Sequence, residues 1–118
     1  MFGQAQNGRA QVGGRFYSKP AVDVPANTIY MPAYASSELF GINEIPISAG
    51  QLGAFSTEGV FAFDVPEGWT SSAGQAVYYT PTSATEGTLG TTSGSGAVKI
   101  GYEVEQPGVS GKLCIFIR

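Results

Sequence analysis

The chain has 118 residues, 42% of them apolar and 13% charged, with 17 glycines, 7 prolines and a formal charge of −3. That length fits one domain with one modest core. So low a charged fraction excludes a solvated disordered chain, and few Lys and Glu beside many Thr, Val, Ile, Phe and Tyr favour strands over helices.

Charge is distributed unevenly along the chain. Residues 1–19 hold Arg9, Arg15 and Lys19 and no acid, whereas the remainder holds three basic residues against nine acids. Residues 1–14 show no hydrophobic period, so residues 1–19 read as a flexible basic arm and residues 20–118 as a single β domain. On this reading Phe2, Val12, Phe16 and Tyr17 are apolar anchors for a partner's grooves, and the basic residues face an acidic surface. The alternative is an unstructured terminus with incidental charges, with Phe16 and Tyr17 packed on the body itself.

Pro20 to Val24 reads as an extended edge or connecting segment. Ile29 and Met31 share one face of a short stretch that Pro32 ends. A helical turn at Ser36–Glu38 cannot run long, because Gly41 follows. Asn43 to Gly50 is a bend. The stretch from Gly53 to Pro66 organises the rest. Phe61, Phe63 and Val65 alternate onto one face of a strand and Val60, Ala62 and Asp64 onto the other, while Glu58-Gly59 predicts a hairpin with Leu52–Ser56. Pro66, Glu67 and Gly68 stop that strand.

Gln75–Tyr79 is the next strand, with Val77 and Tyr79 opposite Ala76 and Tyr78. Residues 82–96 are nearly all Thr, Ser, Gly and Ala and read as an exposed loop or loose hairpin. In the following strand Val98, Ile100, Tyr102 and Val104 are expected to face inward and Lys99, Gly101 and Glu103 outward. A turn begins at Gln106-Pro107-Gly108, and Leu113, Ile115 and Ile117 tie the end of the chain into a sheet. The fold expected is all-β, a small antiparallel sandwich or barrel, jelly-roll-like, with an extended N-terminal arm.

Catalytic chemistry has little to build on. There is no histidine, which removes the commonest general base and metal ligand. One cysteine, Cys114, precludes an internal disulfide or a thiolate zinc site within one chain, and its place between Leu113 and Ile115 reads as a small buried residue. Glu103 and Glu105 share a strand face, but an outward face lacks the cleft that a paired-carboxylate mechanism needs. Asp64 is assigned to solvent or a turn hydrogen bond. Gly87-Thr-Leu-Gly and Gly94-Ser-Gly lack the strand–loop–helix context and lysine of a phosphate loop. Trp69, Tyr78 and Tyr79 are candidate surface-binding aromatics for a sugar; against that, Trp69 caps the core and the tyrosines straddle a sheet edge. The acidic body and sparse basic residues argue against nucleic acid. Neither a signal peptide nor a membrane-spanning stretch is evident, so a soluble protein made in a reducing host cytoplasm is expected. No metal or cofactor is expected.

Five stretches, taken in order, carry a resemblance: Gly41-Ile-Asn-Glu-Ile; Ser48-Ala-Gly-Gln-Leu-Gly-Ala-Phe-Ser-Thr-Glu-Gly-Val-Phe-Ala-Phe; Ala73-Gly-Gln-Ala-Val-Tyr-Tyr; Lys99-Ile-Gly-Tyr-Glu-Val; and Gly111-Lys-Leu-Cys-Ile-Phe-Ile-Arg. Over residues 41–118 the chain resembles the capsid cement, or decoration, proteins of tailed bacteriophages. It departs at Gln75, where that family usually has an acid, and the first forty residues match no pattern. The resemblance implies a virion protein without catalytic residues. It would lie on the outer surface of the head, bind the major capsid protein across subunit boundaries, and self-associate as a dimer or trimer. The competing expectation is a virion-surface carbohydrate- or receptor-binding module using Trp69, Tyr78, Tyr79 and the 82–96 loop.

Overall fold

The computed structural model describes residues 14–106, 108–109 and 111–117. The regular elements among them are all strands, in two antiparallel sheets. The first sheet has the order β1-β4-β3-β2, built from β1 (Arg15–Ser18), β2 (Ile29–Tyr30), β3 (Gly41–Ile42) and β4 (Gly53–Ser56). The second has the order β5-β9-β8-β6-β7, built from β5 (Gly59–Phe63), β6 (Ala76–Pro81), β7 (Gly87–Gly90), β8 (Val98–Val104) and β9 (Leu113–Ile117). The all-β expectation is therefore met.

The main core lies between the sheets. Ile29, Met31 and Ile42 come from the first sheet and its flank, and Val77, Tyr79, Ile100, Leu113, Ile115 and Ile117 from the second. Phe61, Phe63 and Trp69 pack against this cluster, half-buried, whereas Val65 is 45% exposed and lies beyond the core. A smaller cluster of Val24, Tyr30, Ile47 and Phe55 holds the far face of the first sheet. There Tyr30 and Phe16 both stack on Phe55, with ring centroids 4.5 and 5.5 Å away. Strand alternation explains why β2 serves both clusters: Ile29 and Met31 point one way and Tyr30 the other.

Three expectations are corrected. The 52–56 stretch does not form a hairpin with the strand that follows it. β4 already lies between β1 and β3, so it has no open edge, and the Thr57-Glu58 turn carries the chain to the second sheet, where β5 pairs with β9. Gly59, at φ +131°, makes that change of direction in a region where a side chain would be strained.

The basic arm ends earlier than expected, because residues 15–18 pair with β4 in full register. The 82–96 stretch takes the hairpin alternative: residues 87–90 pair back on β6, and the Met31 amide donates to the Ala84 carbonyl at 2.8 Å. Finally, β8 changes face midway. Gly101 sits opposite Val77 but Lys99 opposite Tyr78, so Ile100 is an extra, bulged residue. Glu103 is thereby turned inward, only 7% exposed, and Tyr102 joins Lys99 on the outer face, where the Lys99 ammonium donates to its hydroxyl at 2.9 Å.

Candidate functional site

The residues expected to bind a partner fall in three places. Phe2, Arg9 and Val12 lie outside the described residues. Arg15, Phe16 and Tyr17 form β1, an end strand of its sheet that pairs with β4 on one side. Phe16 faces the small cluster, Tyr17 on the opposite face is 51% exposed, and Lys19 beyond the strand is exposed. Arg15 lines a cleft of about 280 Å³ with Glu44, Ile45 and Leu52. Ile45 and Leu52, 69% and 58% exposed, are the most exposed large apolar side chains in the described chain, and sequence reading did not single them out. Ile45 sits in a bend and Leu52 directly before β4, where no periodicity of their own marks them as inward or outward.

The three aromatics proposed as a platform do not meet on one surface. Tyr79 is buried in the main core, and burial pushes its phenol up to about 12, with the nearby Glu86 carboxylate adding to the effect. Tyr78 lies on the opposite face of β6 by alternation. Trp69 packs against the core and donates its indole N–H to Glu103 Oε1 at 3.2 Å.

Glu103 is the centre of a hydrogen-bonded node instead of one half of a solvated acid pair. Its Oε1 also accepts from the Ser72 amide at 3.2 Å and the Gln75 amide side chain at 2.7 Å, while Gln75 donates to the Thr70 carbonyl as well. Burial pushes this carboxyl upward, but the donors from Gln75, Ser72, Trp69 and Ser71 together outweigh it and hold it below its ordinary range. An acid at position 75 would set carboxylate against carboxylate, so glutamine here suits the node. The node ties residues 69–75 to β8, which is structural work. Glu105, its expected partner, is exposed. Asp64 is in solvent as expected and accepts from Lys112 at 2.6 Å; that hydrogen bond and the ammonium charge hold it below its usual range.

Among the described residues no group of three His, Cys, Asp or Glu side chains gathers as a metal site, and no helix is long and apolar enough to cross a membrane. The geometry on offer is strand edges and the exposed apolar side chains of Ile45 and Leu52. A family model for phage cement proteins matches residues 10–117.

The chain belongs to the phage cement protein family. The match begins some thirty residues before the stretch that carried the resemblance, so β1 and β2 are part of the family's pattern. Membership gives the chain a capsid-stabilising structural role and an association with the phage capsid; this family is not a class of enzymes. No curated protein and no solved structure matches the chain.

Proposed function

We propose that this protein binds the outer surface of the phage head and joins neighbouring major capsid protein subunits through its basic N-terminal segment. The observation that carries this reading is β1, an end strand of its sheet that follows directly on residues 1–14 in the sequence. An end strand offers backbone N–H and C=O groups to an added strand, and Arg9, Arg15 and Lys19 supply charge toward an acidic partner. Each contact is weak, but a lattice repeats it many times and so multiplies its effect. The sugar-binding alternative loses its support because Tyr78 and Tyr79 lie on opposite faces of one strand.

Removing residues 1–13 tests the proposal without cutting β1. The shortened chain is expected to keep its circular dichroism spectrum and melting temperature and to lose binding to purified heads that lack the protein. Full occupancy by the shortened chain would sink the proposal.

A further inference from the structure

A cleft of about 570 Å³ opens between the entry to β2 and the β6–β7 hairpin. Asn27 and Thr28 line it from the first side, Thr85 and Glu86 from the second, and the more deeply buried Phe63 and Tyr79 form its base. Tyr79 is 4% exposed, yet no described residue hydrogen-bonds its hydroxyl. That oxygen lies 2.6 Å from where a Cβ on the exposed Gly87 would stand, so it reaches the wall of the cleft. A buried phenol ordinarily has a partner. The polar groups around it are mostly acceptors. Asn27, held at φ +62°, donates its side-chain amide to the Ala62 carbonyl at 2.6 Å, which leaves its Oδ1 to accept. Thr28 gives its hydroxyl proton to the Pro25 carbonyl at 2.6 Å and likewise keeps an acceptor. The Glu86 carboxylate is exposed and close enough to Tyr79 to act on its phenol. Among the described residues lining the cleft there is no lysine or arginine.

We infer that this cleft receives an arginine side chain of a partner protein. A guanidinium is a planar fork of N–H donors with no acceptor, the complement of a site whose own donors are spent inward. Its charge answers Glu86, one N–H serves the Tyr79 oxygen, and its flat face suits the Phe63 ring. A sugar hydroxyl asks for donors as well as acceptors, and the cleft is short of donors. A lysine brings the charge but sets its three donors on one atom, without the fork that spans two acceptors. No residue of β1 lines the cleft, so the inference stands apart from the basic N-terminal segment.

Titration of the isotope-labelled full chain with N-acetyl-arginine amide, to about 50 mM and without heads, tests this by nuclear magnetic resonance, since one side chain alone binds at millimolar strength. The expected result is a saturable shift of the Thr85, Gly87 and Thr88 amides. The citrulline analogue, which keeps the shape without the charge, and methyl glucoside should each bind about fivefold more weakly or worse. Glu86→Gln changes an exposed side chain, so the fold is retained, and should weaken the arginine probe about fivefold. Tyr79→Phe keeps the ring in the core; it should weaken the probe about threefold and leave the melting temperature of the free protein unchanged or higher. A lower melting temperature would show that the hydroxyl already has a partner inside the protein, and would overturn the inference. Amides that the arginine probe leaves unmoved, or a glucoside that binds more tightly, overturn it too. Binding that neither variant weakens does the same, because the contact then lies elsewhere.

Discussion

Asn43 is 1% exposed, yet its side-chain polar atoms are occupied. Its amide donates to the Pro25 and Ile45 carbonyls at 2.8 and 2.9 Å, and its oxygen accepts from the Thr28 amide at 3.0 Å. One side chain thus replaces a strand ladder between residues 25–28 and the end of β3. Asn43→Ala would leave buried backbone groups unpaired, at about 2–4 kcal/mol in total. Urea unfolding should show that loss, with a melting temperature lower by roughly 10–20 °C. Glu103 makes a pH-dependent contribution. Its carboxyl titrates lower in the folded protein than its ordinary 4.5, so the folded state favours the charged form. The resulting stabilisation is present above the unfolded value and is lost as pH falls through the folded one. Glu103→Gln keeps an oxygen for the three donors but removes the charge that strengthens them, at about 1–2 kcal/mol near pH 7. Because only the wild type loses this term in acid, the two unfolding free energies should converge below pH 4.5. A gap of constant size from pH 7 to pH 3 would contradict the account. Neither residue was legible in the sequence as a structural centre, since their partners lie as much as 19 and 34 residues away.

At the scale of elements, alternation was a sound guide wherever a strand keeps one register. Leu113, Ile115 and Ile117, Val77 and Tyr79, and Ile29 and Met31 all face the main core as their spacing predicts. It failed at β8 because a bulge exchanges the faces of a strand without any composition signal. It failed again between β4 and β5, where Glu58-Gly59 specifies a change of direction but not which sheet receives the next strand. β8 and β9 also explain one glycine of the seventeen. A Cβ on Gly101 would overlap the carbonyl oxygen of Phe116 in the neighbouring strand, and backbone cannot move aside cheaply. Gly90 has open space around it and no positive φ. Gly101→Ala should therefore cost about 2–3 kcal/mol or more in equilibrium unfolding, within the range for overpacking a well-packed site. Gly90→Ala should be neutral or slightly stabilising, by up to about 1 kcal/mol, through the unfolded chain. Equal effects of the two would remove the steric explanation.

The whole molecule joins two kinds of surface that answer oppositely to salt. Residues 1–19 carry three basic residues and no acid, and Ile45 and Leu52 expose apolar side chains. The family assignment was legible because its motifs lie on strands and turns in a fixed order, whereas the adhesive surfaces depend on how two sheets close on each other. Contacts made by exposed cations are screened beyond about 8 Å at physiological ionic strength and weaken further as salt rises. Burial of an apolar face does not weaken with sodium chloride in this way, and excluded salts such as sulfate strengthen it. Raising sodium chloride from about 50 to 500 mM should thus slow association with heads roughly tenfold, within the range known for electrostatically steered encounters. Arg9→Gln combined with Lys19→Gln should flatten the salt dependence of head binding. Association with heads that proves insensitive to salt, in the unchanged chain as in the double variant, would take the contact away from the basic segment.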